Sequence, residues 1–579
     1  MGKSLKIKNQ TIADIFYEIA DILEIKGVKF KPRAYRRAAQ TIETLSEGIK
    51  SIYERGKLQE IPGIGSSIAS KIQEIIETGG LGYLEELRKE ISEGLRELME
   101  IEGIGPKTAI KLHKKFEIGS IDDLESAVKQ GKVRDLRGFG KKTEENILQA
   151  IQMYRSPQER FLLGHVLSIA KGIEKKLKDF EAIAKISLAG SIRRRKETIG
   201  DVDILATSKE PLKVMNFFTQ LPEVKQVLAK GKTKSTVVLT NNLQVDLRVV
   251  NEESFGSALQ YFTGSKEHNI KLRELALSKN WKLSEYSLLD KKTNKKIAGE
   301  DEETIYGALE LRYIEPELRE NRGEIEAAAK GKLPHLIKNE EVKGDLHVHT
   351  NWSEGAHTIE EMAEAARTLG YEYLAICDHA KTLQIAHGLT EEDICKQIKE
   401  IEKLNRKIKD FTILSGIEAN IDSDGKLDVN DNVLRDLDIV VASVHSGFKQ
   451  SEKKMTQRVL TAMHNDYVDV IGHPTGRVIN KRDPYKIDLS KIFETAFKLG
   501  VSMEINAFPN RLDLSDLNCF KAKNCKVKIS MGTDAHSKDH LRYMELGVAT
   551  ARRGWLEEKD VINTLDLTEL KKELRNSHS

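Results

Sequence analysis

No stretch of the 579 residues strings together the ~20 apolar side chains that span a bilayer, so a membrane-spanning helix is not expected. The first ten residues, MGKSLKIKNQ, hold no apolar signal segment, and export is not expected. Four cysteines without framework spacing rule out a disulfide scaffold and fit a reducing, cytoplasmic setting. Net charge is only +3, so bulk charge makes no case for nucleic acid, and any such case depends on where charge is placed. What is present is globular: 39% hydrophobic and 32% charged residues, in a chain long enough for about four domains. Histidine is unevenly spread. Only His113, His165 and His268 precede Lys330, and the other twelve follow it, which points to a metal-rich second half.

Residues 190–205, GSIRRRKETIGDVDIL, read as a Gly-Ser turn, a basic loop and a strand opening with Asp201 and Asp203. Strand side chains alternate, so these two carboxylates share a face. A third, Asp246, arrives in LQVDLRVV. Three such carboxylates can bridge two divalent cations about 4 Å apart, the arrangement that activates an attacking oxygen and stabilises a leaving phosphate. Gly190 and Ser191 offer N–H groups and a hydroxyl to a phosphate.

Upstream, IPGIGSSIASKI, IEGIGPKTAIKL and LRGFGKKTEENI repeat one pattern, Gly-x-Gly between two helices. The pairs are Gly63 and Gly65, Gly103 and Gly105, Gly138 and Gly140. Glycine lets the backbone approach closely and leaves helix N-terminal N–H groups for phosphate. These look like helix-hairpin-helix motifs, which grip a DNA backbone without reading sequence. A basic helix carries Lys31, Arg33, Tyr35, Arg36 and Arg37. Tyr35 is open between contact with DNA and a place in the core. Lys71, eight residues after Gly63, is open between a phosphate contact and an amine that attacks a sugar aldehyde.

The last third repeats an apolar strand ending in a metal-competent residue and followed by a helix. The strands are DLHVHT, YLAICDH, TILSGIEANI, DIVVASVH, VDVIGH, VSMEIN and KISMGTDAH. Ligands at the C-terminal ends of seven strands describe a parallel barrel with its site on the top face. His347, His349, His379, Glu418, His445, His473, Asp534 and His536 supply nitrogen and oxygen for more than one metal.

Two resemblances follow. Gly190-Ser191, Asp201-x-Asp203, Asp246 and YFTGS (261–265) with Asn269 and Arg273 resemble the family X DNA polymerases. HxH followed by DH, E, H, GHP and TDAH resembles the PHP (polymerase and histidinol phosphatase) superfamily. Together they imply a multidomain chain: α-helical helix-hairpin-helix N-terminal region, α+β nucleotidyltransferase palm and thumb, and C-terminal distorted (β/α)7 PHP barrel. The implied boundaries are 1–85 for a DNA-binding and lyase domain, 86–155 for a fingers-like domain and 156–252 for the palm. Residues 253–315 would be the thumb, 316–342 a charged linker and 343–579 the PHP domain.

The polymerase resemblance implies Asp201, Asp203 and Asp246 as catalytic metal ligands for Mg2+ or Mn2+. It implies Arg155, Ser191, Arg194 and Gly200 as triphosphate contacts, and Tyr261, Phe262 and Gly264 beside the incoming sugar. Asn269 and Arg273 would touch the nascent pair and template, and Lys71 falls where the family's Schiff-base lysine falls. Ser67 stands where animal members carry a second phosphate-binding lysine, and Gln244 replaces an arginine. The PHP resemblance adds Glu354, where relatives carry Asp, as a ninth ligand for Mn2+ and/or Zn2+. The implied activity is gap-filling repair synthesis with 3′→5′ exonuclease or 3′-end processing, and the resemblance extends to deoxyribose phosphate lyase and AP endonuclease. The partners would be gapped or primed double-stranded DNA and dNTPs, with the protein a monomer. The competing readings are a small-molecule phosphatase tethered to DNA by a vestigial polymerase half, and a non-catalytic DNA-end scaffold.

Overall fold

The computed structural model describes residues 9–26, 28, 30–43, 49–61, 63–89, 98, 101, 104, 106–135, 139–140, 143–144, 147–148, 151, 160–381 and 387–574. These form two compact units, 1–159 and 160–579. Among the described residues no helix is long and apolar enough to cross a membrane.

The first unit is helical. Its opening helix, Asn9–Ile25, buries Ile12, Phe16, Ile19 and Ile22, one face at helical spacing, against Ala38, Ala39 and Ile42 of the helix Lys31–Glu43. The glycine repeat folds as a repeated turn. Ile61 N–H bonds Leu58 O and Ile64 N–H bonds Ile61 O, at 3.3 and 3.0 Å; Ile101 to Leu98 and Ile104 to Ile101 repeat this at 3.4 and 2.9 Å. Gly63 has φ +86°, a conformation an L side chain rarely adopts, and Gly65 caps the helix Ser66–Thr78. Gly140 starts a helical turn as Gly65 does, its carbonyl accepting from Thr143 and Glu144 N–H.

The second unit joins an α+β half to a barrel. Strands β1 (Lys185–Leu188), β2 (Asp201–Thr207), β3 (Val224–Lys230), β4 (Lys234–Leu239) and β5 (Gln244–Val250) form one sheet in the order β1-β2-β5-β4-β3. Only β2 and β5 run parallel. A small sheet of β6 (Trp281–Leu283), β7 (Leu288–Asp290) and β8 (Lys296–Ala298) follows.

Then come seven parallel strands in sequential order: β9 (Gly344–Val348), β10 (Tyr373–Ile376), β11 (Thr412–Asn420), β12 (Ile439–Ser443), β13 (Val470–Ile471), β14 (Ser502–Asn506) and β15 (Ile529–Gly532). Their residues are buried on both faces, as in a parallel barrel wrapped by helices. Asp534 N–H to His347 O and His349 N–H to Ala535 O, both 2.9 Å, bring the last strand back to the first and nearly close the ring.

The segment 316–342, expected to be a charged linker outside any core, is folded in. Leu318, Ile325, Ala328 and Leu336 pack with Leu272, Ile305 and Tyr306. Arg319 and Glu324 are fully buried, Arg319 against Glu302 at 2.5 Å and Glu324 against His268 at 2.7 Å. Charge on this stretch is paired inside, which composition does not reveal.

The α+β half is seated firmly on the barrel. A Cβ on Gly164 would lie 2.8 Å from side-chain atoms of both Leu546 and Pro509, so the helix Leu163–Lys178 packs closely against those two side chains. Leu512 and Leu546 belong to the apolar core beneath the five-stranded sheet. Arg477 reaches Glu197 at 2.7 Å, and Asn480 donates to Arg160 O at 2.9 Å.

Candidate active sites

Parallel register sets the first site. Asp203 lies directly across from Asp246, and Asp201 across from Gln244. Val202, Ile204, Val245 and Leu247 fill the core, so the acidic residues share the opposite face. Burial, then the charges of Asp201 and Asp246, push the Asp203 carboxyl up to about 7. Burial and Asp246 raise Asp201 as well. Lys234 pairs with Asp246 at 2.9 Å, and Gln244 donates to Asp246 at 3.4 Å. Like charges held this close are a donor set for divalent cations.

Gly190, at φ +62°, is required: a Cβ there would sit 2.2 Å from Asp203 Oδ2. The expected Gly-Ser turn is one turn of helix, Gly190–Arg193, closed by Lys196 N–H to Ser191 O at 3.0 Å.

An open cleft of about 470 Å3 gathers most of the expected nucleotide-handling residues: Ser191, Arg194, Asp201, Asp203, Tyr261, Phe262, Gly264, Asn269 and Arg273. Asp246 lines an adjoining recess with Asp203 and Phe262. Gly200 precedes Asp201, beside Arg160. The Asn269 amide is engaged within the protein, donating to Tyr261 O at 2.7 Å and accepting from Gln260 at 2.6 Å, while Arg273 donates to Asn269 O at 3.1 Å. Arg155 lies outside the described residues. Arg160, Lys196 and Lys266 also line the cleft. Arg160 was not singled out from the sequence. Arg193 turns away to Glu302 at 2.6 Å and is structural.

In the first unit, Tyr35 is a core residue: 7% exposed, edge-on to Phe16 and stacked on Tyr83, with burial pushing its hydroxyl up to about 12. Of the two places left open for Tyr35, contact with DNA and the core, its packing is that of the core. Lys71 Nζ lies 5.0 Å over the Tyr83 ring and donates to Ser67 Oγ at 3.4 Å. Gly63, Gly65 and Gly140 occupy their hairpins, while Gly103, Gly105 and Gly138 lie outside the described residues.

The barrel brings all nine expected ligands together. Glu418, at the end of β11, is the hub. His379 approaches it at 2.9 Å, His445 and His473 at 3.1 Å, His347 at 3.5 Å and His349 at 3.7 Å. Asp534 lies 3.1 Å from His349, and Glu354 closes the rim at 2.9 Å from His536 and 3.2 Å from His379. Three ligand groups have donor atoms converging within 4.8 Å: His347, His349 and Asp534; His349, His379 and His536; His379, Glu418 and His445. Burial and the charge on His379 push His349 down to about 3, which leaves a neutral imidazole fit to ligate. The buried Nδ1 atoms of His349 and His473 have no hydrogen-bond partner among the described residues. Orphaned ring nitrogens around a buried carboxylate fit metal ions.

Supporting residues were not foreseen. Glu504 accepts from His347 Nδ1 at 2.6 Å and from His473 N–H at 2.5 Å. Asn506 donates to Asp534 at 3.0 Å. Asp378 accepts from Thr350, Ser353 and Gln397. The available signal was Glu-x-Asn ending VSMEIN, the barrel strand to which no ligand had been assigned.

Comparison with known proteins agrees with this division. A family model for the DNA polymerase beta palm matches residues 164–271 and one for the DNA polymerase beta thumb 258–320. A helix-hairpin-helix domain matches 7–81, a SAM-like helix-hairpin-helix tandem 95–153 and a PHP domain 345–507. The DNA polymerase/3′-5′ exonuclease PolX of Bacillus subtilis (strain 168) is 41% identical over 562 residues, 96% of this chain and 98% of that protein. A probable phosphatase of Thermoanaerobacter sp. (strain X514) is 34% identical over 242 residues, 40% of this chain and 94% of that one. One from Clostridium acetobutylicum is 32% identical over 202 residues, 33% of this chain and 78% of that one.

Proposed function

The chain belongs to the family X DNA polymerases that carry a C-terminal PHP domain, and from that premise we propose that it fills short gaps in DNA during repair and trims 3′ ends with its barrel. The observation that carries the synthetic half is the Asp203–Asp246 register beside a cleft lined by Ser191 and Arg194. Asp201, Asp203 and Asp246 would hold divalent cations, Mg2+ or Mn2+, which would supply activation of the primer 3′-hydroxyl and positive charge for the departing pyrophosphate. Ser191, Arg160, Arg194 and Lys196 hold the triphosphate, with the guanidinium of Arg194 suited to a bidentate grip. Tyr261 and Phe262 flank the sugar, and Asn269 fixes that segment through the Tyr261 carbonyl.

In the barrel, the nine-residue set would hold Mn2+ or Zn2+, which would supply Lewis acidity for hydrolysis of the scissile phosphodiester. Glu504 holds His347 in the tautomer that presents Nε2 inward. The glycine hairpins of the first unit hold the DNA backbone. Lys71 is assigned as the amine of a deoxyribose phosphate lyase.

The test is one assay on gapped DNA, with and without dNTP, of wild type, Asp203→Ala, His347→Ala and Lys71→Ala. Extension lost only in Asp203→Ala, and end-trimming lost only in His347→Ala, is the expected pattern. Borohydride trapping of an abasic 5′-phosphate, abolished by Lys71→Ala, checks the lyase assignment. The barrel's likeness to proteins named probable phosphatases favours a second reading, hydrolysis of small phosphomonoesters. Turnover of p-nitrophenyl phosphate but not of 3′-recessed DNA would select it.

A further inference from the structure

The basic loop that follows Gly190-Ser191 is bound from the barrel side. Arg553 ends the helix Met544–Arg553 of the barrel half and is 3% exposed. Its Nη1 donates to the backbone carbonyl of Arg194 at 2.7 Å and to Glu320 Oε1 at 3.0 Å, while Nη2 donates to Asp516 at 2.7 Å. Glu320 Oε1 also accepts from Arg194 Nε at 3.1 Å, and Lys196 stands 4.0 Å from the other carboxylate oxygen. A second cation, Arg322, shares Asp516 at 3.1 Å. Arg194 is further anchored through Nη1 on Thr263 O, and Ser265 N–H bonds Arg319 O at 3.0 Å, so Glu320 is adjacent to both cleft-lining segments.

Glu320 therefore competes with any incoming phosphate for Arg194. A half-buried carboxylate without compensation would hold that guanidinium strongly. Arg553 supplies the compensation from the barrel, while Asp516 satisfies the other end of its fork. We propose that Arg553 is a positioning residue for nucleotide binding: by neutralising Glu320 and gripping the Arg194 carbonyl, it leaves the Arg194 guanidinium available to the triphosphate. The barrel domain thereby sets the nucleotide affinity of the polymerase cleft without touching the nucleotide. This rests on the polymerase reading above.

The sign of the effect separates positioning from simple support. Removing the competitor and removing its neutraliser act oppositely if the relation holds, whereas damage to a merely structural cluster weakens binding either way. The experiment uses the full chain, a one-nucleotide gap opposite dA, and dTTP with Mg2+. Glu320→Gln is expected to lower the KM for dTTP about threefold and Arg553→Met to raise it about tenfold, each with kcat within about twofold of wild type. The double variant Glu320→Gln/Arg553→Met is expected to return KM to near the wild-type value, and Arg553→Lys to fall between. Trimming of 3′-recessed DNA without dNTP reports that each variant is folded. Should Arg553→Met not fold, Glu320→Gln and Arg553→Lys decide alone. KM moving the same way in Glu320→Gln and the Arg553 variants, or not at all, in a wild-type background that extends primers overturns the proposal. A wild-type protein that extends no primer overturns the polymerase reading instead.

Discussion

The two metal-competent sites of this chain are built on opposite plans. The palm sets three carboxylates on one face of two parallel strands, at the wall of an open cleft, with no imidazole among its ligands. The barrel encloses six histidines and three carboxylates at the ends of its strands, most of them buried, with Glu418 touching five of the rings. Carboxylates alone suit hard, exchangeable cations that come and go with a nucleotide, whereas buried imidazole adds affinity for softer ions and keeps them resident. Protons are handled differently too. In the palm, burial and then the charges of Asp201 and Asp246 raise Asp203, so protons compete with a metal near neutrality; in the barrel, Glu504 accepts from His347 Nδ1, which leaves Nε2 of that ring to the site.

The strongest way to break the contrast is to remove one ligand from each site. Asp203→Ala should lower primer extension by about 1,000-fold or more and leave 3′ trimming intact, and His347→Ala should do the reverse. Gapped-DNA gels with and without dNTP read both. A shared loss in either variant would mean that the sites are not separate. Next in size is metal retention. After brief dialysis against EDTA, elemental analysis should still find metal in wild type, lower in His349→Ala and unchanged in Asp203→Ala. Supporting residues should matter less: Glu504→Gln is expected to cost about 10- to 100-fold in trimming or barrel metal affinity, with extension unchanged.

The smallest effect is on pH. Asp203 sits near 3.8 in an unfolded chain and about 7 in the metal-free fold, so its contribution to stability is present below pH 3.8 and lost as pH rises through 7. Added Mg2+ replaces the proton, so the rise in Tm it causes should be larger at pH 8 than at pH 5. An equal rise at both pH values would place the cation elsewhere.

Much of this was legible because the informative spacings are local. Asp201-x-Asp203 and His347-x-His349 declare a shared face at any strand, and the repeated strand-ligand-helix pattern declared the barrel. What escaped notice was what partners at a distance decide. Arg193 and Arg194 are neighbours with the same side chain, yet one turns to Glu302 and the other lines the cleft. Asp378 carries no signal until the fold puts it behind Thr350, and the Glu-x-Asn of Glu504 and Asn506 gains its meaning only from the His347 and Asp534 it supports. The charges of Arg319 and Glu324 suggested a solvated linker because a sequence does not display the Glu302 and His268 that neutralise them inside. Tyr35 was undecided for the same reason, since Phe16 and Tyr83 settle it.

Gly164 carries a last consequence. Because a Cβ there would crowd the side chains of Pro509 and Leu546, even a single methyl group would act as a wedge between the palm's first helix and the barrel half.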